Sequence, residues 1–168
     1  GLNSAWQLDH HYTKRAGIDP RALTGALEQI DRDRAMYRDC YKFAVWHHPL
    51  SSEHEDRIKD HGFMERLAVA GFRLSLHGHI HKAQTLPFQY DHAAGGRKID
   101  VISAGTFGAP VNEWVPGHPL QYNLLQLQGR RLTVKTRRRE ELEGAWKPDA
   151  RWSRGPGEDP RSRYEIEL

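Results

Sequence analysis

Two short histidine-rich segments carry the residue types and spacing best suited to chemistry. His47 and His48 stand in VWHHPL, and His79 and His81 stand in LHGHIH. Alternate residues of an extended segment project to the same side, so His79 and His81 are predicted to face one site. Imidazole is the commonest metal ligand in proteins, and His47 together with this pair would form a reasonable three-histidine site for zinc. From spacing alone, a metal site and an ordinary set of packed histidines stay equally open.

The elements that must position these histidines are two predicted strands. An apolar run precedes each histidine segment, and a segment with helical spacing of apolar residues precedes each run. Asp19 followed by Pro20 is typical of a helix start, and Ser52 followed by Glu55 is typical of a capping box. Neighbouring strands of an open α/β sheet end at the edge where such sheets bind ligands. The predicted helices cover 20–38 and 52–70, and the predicted strands cover 41–46 and 72–76.

The second half of the chain has a different pattern. Short apolar runs separated by turn residues predict antiparallel strands, with GG (95–96) and QGR (128–130) as the turn signals. The predicted fold class is therefore α/β, with helix–strand units followed by antiparallel hairpins. The last segment, 146–168, has few periodic features and is expected to wrap the surface as a tail. The strands predicted in this half cover 88–90, 97–103, 122–128 and 131–137.

The composition excludes several classes of protein. The 168 residues indicate a single domain. Lys and Arg number 25 and Asp and Glu number 22, and a formal net charge of +3 is small for a dedicated polyanion binder. Cys40 is the single cysteine, which excludes an internal disulfide framework and a CxxC zinc knuckle. No run of about 18 apolar residues and no signal-peptide pattern over 1–12 occurs, so no membrane span is predicted and a cytoplasmic location is expected.

The order of the motifs resembles the calcineurin-like metallophosphoesterase family. The matching order is a strand with His-His-Pro, a helix, and a second strand with Gly-His-x-His, seen here in VWHHPL and GHIH. LNS (2–4) resembles the strand that follows the family's Gly-Asn-His-Glu/Asp motif, and ISAGT (102–106) resembles a later strand and glycine turn. The hairpin that ends in VKTRRR is similar to the C-terminal part of many bacterial members. The resemblance thus covers most of the chain.

The resemblance implies a four-layer α/β/β/α sandwich built around two divalent metal ions, which would be Mn, Fe, Zn, Ni or Co. His47 and His79 would bind one ion and His81 the other, and His48 would be a catalytic residue that faces the substrate. The paired ions would activate a hydroxide that hydrolyses a phosphomonoester or phosphodiester. The resemblance also implies substrate-binding roles for Asn3, Gly105 and Thr106.

Three motifs of the family are missing from these 168 residues: Asp-x-His, Gly-Asp-x-x-Asp and Gly-Asn-His-Glu/Asp. The letters DHH at 9–11 contain the first motif, but they follow LNS and do not lie on a first strand. Residues 1–145 are therefore interpreted as the C-terminal half of the domain, with 146–168 as its tail. The expected partner is the N-terminal half, in the same or a separate polypeptide. Alone, the chain is expected to bind at most one metal ion well and to be inactive.

Two alternatives from other classes of protein stay open. The half-domain could act as a non-catalytic interaction or regulatory module, or as a nucleic-acid binder through the basic strand at 130–139. An exposed apolar sheet edge would also allow a homodimer. The identity of the phosphate-ester substrate cannot be derived from these motifs, because fold does not choose it. No membrane partner is expected.

Overall fold

The chain folds into two units, seen in a computed structural model. The first unit contains Gly1–Ile80 and Thr85–Ile102, and the second contains His81–Gln84 and Ser103–Leu168. One four-stranded sheet lies almost wholly in the first unit, and a second four-stranded sheet lies in the second. The structure describes residues 1–52, 56–89, 96–110, 117–152 and 156–168.

The first helix, α1, spans Pro20–Arg32 and begins where the sequence predicts. The side chain of Asp19 accepts a hydrogen bond from a backbone N–H of the first turn at 2.9 Å, which satisfies a donor that would otherwise lack a partner. Leu23 is buried on its inner face. The prediction of one helix over 20–38 is wrong at Asp33, whose φ of −94° and ψ of 26° end α1 before the four-residue helix α2, Arg34–Tyr37.

Helix α3 spans Gly62–Val69 and is much shorter than the helix predicted over 52–70. The described residues before it are not helical, because the N–H of Ile58 donates to the carbonyl of Pro49 at 2.9 Å. The side chain of Ile58 is fully buried, so this connection is held by packing as well. Ser52 does not begin the helix, and Glu55, the other half of the predicted capping box, lies outside the described residues.

The first sheet has the strand order β1-β2-β4-β3, with β1 and β2 parallel. The strands predicted over 41–46, 72–76 and 97–103 are confirmed with small shifts at their ends, and the one predicted over 88–90 begins earlier, at Gln84. The observed strands are β1 (Lys42–Val45), β2 (Phe72–His77), β3 (Gln84–Gln89) and β4 (Lys98–Ser103).

The core of the first unit packs both neighbouring helices against this sheet. Trp46, just after β1, meets Phe63 of α3 edge to face, with ring centroids 5.3 Å apart. Edge-to-face contact is a favoured aromatic geometry and adds to the burial of both rings. The other core residues include Leu23, Ala44, Leu50, Ile58, Met64, Leu67, Ala68, Phe72, Ile99 and Val101.

The second sheet is antiparallel throughout its described pairings, which confirms the predicted change of pattern and with it the α/β fold class. The turn predicted over 128–130 is present, with Gly129 at a φ of 56° that favours glycine. Gly95, in the other predicted turn, lies outside the described residues. The strands are β5 (Leu120–Gln128), β6 (Arg131–Arg139), β7 (Lys147–Pro148) and β8 (Arg163–Glu167).

Strands β7 and β8 both pair with β6, so residues near the end of the chain take part in the second sheet. The division into a half-domain over 1–145 and a tail over 146–168 stays a prediction. Among the described residues, no helix has the length and apolar character needed to cross a membrane.

Candidate metal centre

The backbone pairing of the first sheet brings two histidine segments together. Beyond the strand ends, Trp46 N–H donates to the carbonyl of Leu76 at 3.1 Å, and Gly78 N–H donates to the carbonyl of His47 at 3.1 Å. The segments that follow β1 and β2 are thus joined at the same edge of the sheet. This is the edge at which open α/β sheets bind ligands.

The backbone of the second histidine segment is not extended, which corrects the prediction for its two later histidines. His79 and His81 have φ values of 69° and 53°, in the left-handed region, and the N–H of Ile80 donates to the carbonyl of Gly78 at 2.8 Å. The chain therefore turns after β2. Non-glycine residues seldom adopt this conformation, and histidine is among those that do so more often. His79 lies with the first unit, and His81 belongs to the second.

Three imidazoles meet at this edge: those of His47, His48 and His79. One ring nitrogen of each lies within 4.8 Å of the others, and among the described residues these three form the group suited to holding a metal ion. His79 Nδ1 lies 3.1 Å from His47 Nε2. Two ligands of a tetrahedral zinc ion are about 3.3 Å apart, given zinc–nitrogen bonds of about 2.0 Å. The spacing of these two nitrogens is therefore close to that of a metal site.

Asp56 orients the imidazole of His79. The Nε2–H of His79 donates to Asp56 Oδ2 at 2.5 Å, and both side chains are about one-third exposed. With its proton on Nε2, the ring presents the lone pair of Nδ1 to His47. A carboxylate on the second nitrogen is the usual outer partner of a histidine that binds metal. The sequence does not reveal Asp56, because its role depends on a contact 23 residues away.

Ser4 orients the first histidine segment and His48 in particular. Its Oγ accepts hydrogen bonds from the backbone N–H groups of His47 and His48, both at 3.1 Å. Both acceptor positions are then used, so the hydroxyl proton goes to His48 Nδ1 at 2.9 Å. The neutral imidazole of His48 consequently carries its own proton on Nε2. Ser4 is buried, and sequence reasoning named its neighbour Asn3 instead.

The surroundings of His48 keep its imidazole neutral at neutral pH. Burial lowers the pKa of His48 to about 4, with smaller contributions from His79 and His47. Burial also lowers the pKa of His77, whose Nδ1–H donates to the carbonyl of Gly78 at 3.0 Å. Neutral imidazole is the form that binds metal ions. His48 is therefore neutral at neutral pH, with Nδ1 accepting from Ser4 and Nε2–H acting as a donor, so the lone pairs for a metal ion come from His47 and His79.

The other predicted site residues have local structural contacts. Asn3 Oδ1 accepts a hydrogen bond from Ala5 N–H at 2.9 Å. In the second unit, a Cβ added at Gly105 would lie only 2.3 Å from Gln121 Cβ, so close packing requires glycine there. The carbonyl of Thr106 accepts from Gln121 N–H at 2.8 Å. The substrate-binding roles of Asn3, Gly105 and Thr106 stay predictions.

Comparisons with known proteins give a distant structural similarity. No protein-family model matches the sequence, and no curated protein matches it. Among solved structures, the chain is similar to a single mutant of Vps29 from Entamoeba histolytica, with 14% sequence identity and a TM-score of 0.36. The similarity covers 66% of this chain and 48% of the other, so this chain spans about half the length of that protein. No activity, ligand or partner is inferred from it.

Proposed function

We propose that this chain is the C-terminal half of a calcineurin-like metallophosphoesterase domain, and that His47 and His79 bind a divalent metal ion used in phosphoester hydrolysis. The observation that carries the proposal is the contact of 3.1 Å between His47 Nε2 and His79 Nδ1, with Asp56 on the other nitrogen of His79. The same two motifs that resemble the family supply these two imidazoles.

The donor set fits the proposed metal. Imidazole nitrogens suit Mn, Fe, Co, Ni and Zn ions and do not choose among them. A bound ion of this kind would stabilise negative charge on a phosphate oxygen and lower the pKa of a water molecule. The chain's own part is to orient the ligands, with Asp56 fixing the ring of His79 and Ser4 fixing the segment that carries His47.

His48 has a different role in this proposal. Because Ser4 donates to its Nδ1, its Nε2–H is a hydrogen-bond donor. The His48 ring lies 4.9 Å from that of His79, measured between centroids. Such a donor suits a phosphate oxygen or the oxygen of a leaving group, as expected of a catalytic residue. Only 5% of His48 is exposed, so any oxygen that it contacts must enter the group itself.

The proposal assigns His81 to a second metal ion and Asn3, Gly105 and Thr106 to substrate binding. The remaining ligands of the second ion would come from an N-terminal half that carries the three motifs missing here. LNS already lies beside the first sheet, because Leu2 N–H donates to the carbonyl of Val45 at 2.7 Å. An added half could continue the sheet beyond this segment.

The two alternatives have less support. A non-catalytic module does not require three imidazoles and a carboxylate at one sheet edge. Nucleic-acid binding through 130–139 would use arginines that lie beside glutamates. These ion pairs are Arg130–Glu167 at 3.5 Å, Arg131–Glu165 at 4.0 Å and Arg138–Glu140 at 3.3 Å.

The test is hydrolysis by the protein that the complete reading frame around these residues encodes. Bis(p-nitrophenyl) phosphate and p-nitrophenyl phosphate serve as the diester and monoester probes, with added Mn²⁺. Replacing His79 by alanine is expected to reduce turnover by about 100-fold or more, and Asp56→Asn by about 10-fold, the usual range for an outer-shell partner. His10→Ala is the control and should leave turnover unchanged. Wild-type turnover in the His79→Ala variant would contradict the proposal.

A further inference from the structure

A cleft of about 740 Å³ lies on the first unit. Two of its lining residues are close in sequence to residues of the proposed metal centre. Trp6 lines it and follows Ser4 by two residues, and Lys59 lines it and follows Asp56 by three. A chain extends at most about 3.6 Å per residue, so both residues lie within roughly 11 Å of a residue of the centre. Two segments that leave the metal centre therefore form part of the cleft.

The lining of the cleft combines an apolar floor, an aromatic side chain and positive charge. Leu23 and Phe63 are buried core residues that line it, and Trp6 remains 43% exposed. Among the described residues of the lining, Asp60 is the acidic one, and its Oδ1 accepts a hydrogen bond from Gly62 N–H at 2.9 Å. The lining residues with positive charge are Lys14, Arg15, Lys59 and Arg66.

Local contacts order the loop that supplies two of these cations. The backbone N–H groups of His11 and Tyr12 both donate to Asp9 Oδ1 at 2.8 Å. The guanidinium of Arg15 lies 3.7 Å from the centre of the Tyr12 ring, within the range of a cation–π contact. Gly17 N–H donates to the carbonyl of Ser4 at 3.0 Å, which ties the end of the loop to the metal centre.

Hydrogen bonds also fix the side of the cleft that contains Arg66 and Lys59. The guanidinium of Arg66 donates to the carbonyl of Pro20 at 3.3 Å and to Thr24 Oγ1 at 2.6 Å. The Nε2–H of His61 donates to the carbonyls of Leu50 and Ile58, with Nε2 to oxygen distances of 3.1 and 2.9 Å. These hydrogen bonds fix the segment after Lys59. The cleft is thus built from parts whose positions hydrogen bonds define.

We propose that this cleft binds a nucleotide, so that the phosphate ester presented to the metal centre is a nucleotidyl ester. The inference rests on the proposed function and names its substrate class. An exposed indole stacks on a nucleobase of any kind, and arginine and lysine bind phosphate oxygens. The apolar floor suits the base and sugar, and the volume lies within the range of small-molecule sites. A phosphate ester without an aromatic group would leave Trp6 and the floor unused.

The test measures nucleotide binding to the 168-residue chain by isothermal titration calorimetry, with EDTA present to remove metal ions. Adenosine monophosphate is the nucleotide probe, and adenosine and inorganic phosphate are its two parts. The nucleotide is expected to bind at least about 10-fold more tightly than either part, because it uses both the indole and the cations. Trp6→Ala and Lys59→Glu should each weaken nucleotide binding by about 10-fold, a loss equal to one good contact.

Two controls separate this inference from the proposed function. Lys98→Glu makes the same charge change on β4, away from the cleft lining, and should leave nucleotide affinity unchanged. His79→Ala should lose metal binding and keep nucleotide affinity. Thermal unfolding of each variant confirms that it is folded. The inference would be overturned if the nucleotide bound no more tightly than phosphate. It would also be overturned if Trp6→Ala and Lys59→Glu together left nucleotide affinity unchanged. Either outcome holds whether or not the chain binds a metal ion.

Discussion

Each unit of the protein has a polar cluster, which is largely buried in the second unit and partly exposed in the first. The two clusters also differ in whether their hydrogen-bonding groups all have partners. In the second unit, Gln121 Oε1 accepts from Ala83 N–H at 3.0 Å and its amide donates to Asp149. Asp149 also accepts from Arg151 Nε at 2.7 Å. Each donor named here has an acceptor, and the negative charge has a positive partner. Such a network is complete and serves structure.

The cluster of the first unit is built differently. His79 Nδ1 is an acceptor because the ring's proton lies on the side of Asp56, and it faces His47 Nε2. Only a proton or a metal ion between these two nitrogens makes the contact favourable. The comparison shows that burial of polar groups alone does not identify a functional site. In the proposed site, a metal ion would take the place of the proton between these two nitrogens.

Acid should weaken the first unit more than any single substitution discussed below. The pKa of His48 is lowered from 6.5 to about 4, so between these values the unfolded chain binds a proton that the folded chain does not. The free energy of unfolding is therefore unaffected by this group above pH 6.5 and falls by up to about 3 kcal/mol as the pH drops to 4. Urea unfolding with EDTA at several pH values measures it.

His48→Gln is the variant that isolates this effect. It removes the titrating group, so its stability should change much less with pH over the same range. His10→Gln, an exposed histidine, controls for the substitution itself. An identical pH dependence in the His48→Gln variant and the wild type would show that His48 is not the group responsible.

Close packing in the second unit should give the next largest effect. Alanine at Gly105 places its Cβ 2.3 Å from Gln121 Cβ, so the backbone or the buried network must move. We expect Gly105→Ala to lower the free energy of unfolding by about 2.5 kcal/mol, as overpacking does. Gly108→Ala is the matched control, because a Cβ there meets nothing within 4 Å. Equal stability of the two variants would show that the close approach is not present in solution.

A pair of substitutions then compares the clusters directly, in the absence of metal. Asp149→Ala leaves the amide of Gln121 and the guanidinium of Arg151 without their acceptor and should cost about 2 kcal/mol. His79→Ala removes a side chain that is 28% exposed and should cost less than about 1 kcal/mol. Urea unfolding with EDTA gives both values. A larger cost for His79→Ala would mean that its cluster is structural too.

Much of the fold could be predicted from the sequence, because apolar runs and turn residues act locally. The strands before both histidine segments and the start of α1 at Pro20 follow from such signals. The helix predicted over 52–70 fails because the segment around Ile58 bonds to Pro49 rather than to its own turns. This hydrogen bond is a tertiary contact, which the spacing of apolar residues along the chain does not predict.

The candidate site was predictable only in part for the same reason. His47 and His79 stand in recognisable motifs, and the structure brings them together. Asp56 stands in no quoted motif, and Ser4 stands in LNS, where Asn3 was the residue predicted to have a role. Both act through residues far away in the chain. The prediction that His79 and His81 share an extended segment fails, because β2 ends at His77 and the chain then turns.

The measurement that tests the central claim most directly is a calorimetric titration of the metal-free chain with Zn²⁺. We expect one ion to bind with involvement of His47 and His79, about 100-fold weaker binding in His79→Ala, and about 10-fold weaker binding in Asp56→Asn. His10→Ala should bind as the wild type does. If the chain takes up no zinc, or if His79→Ala binds it as tightly as the wild type, the two imidazoles are not a metal centre.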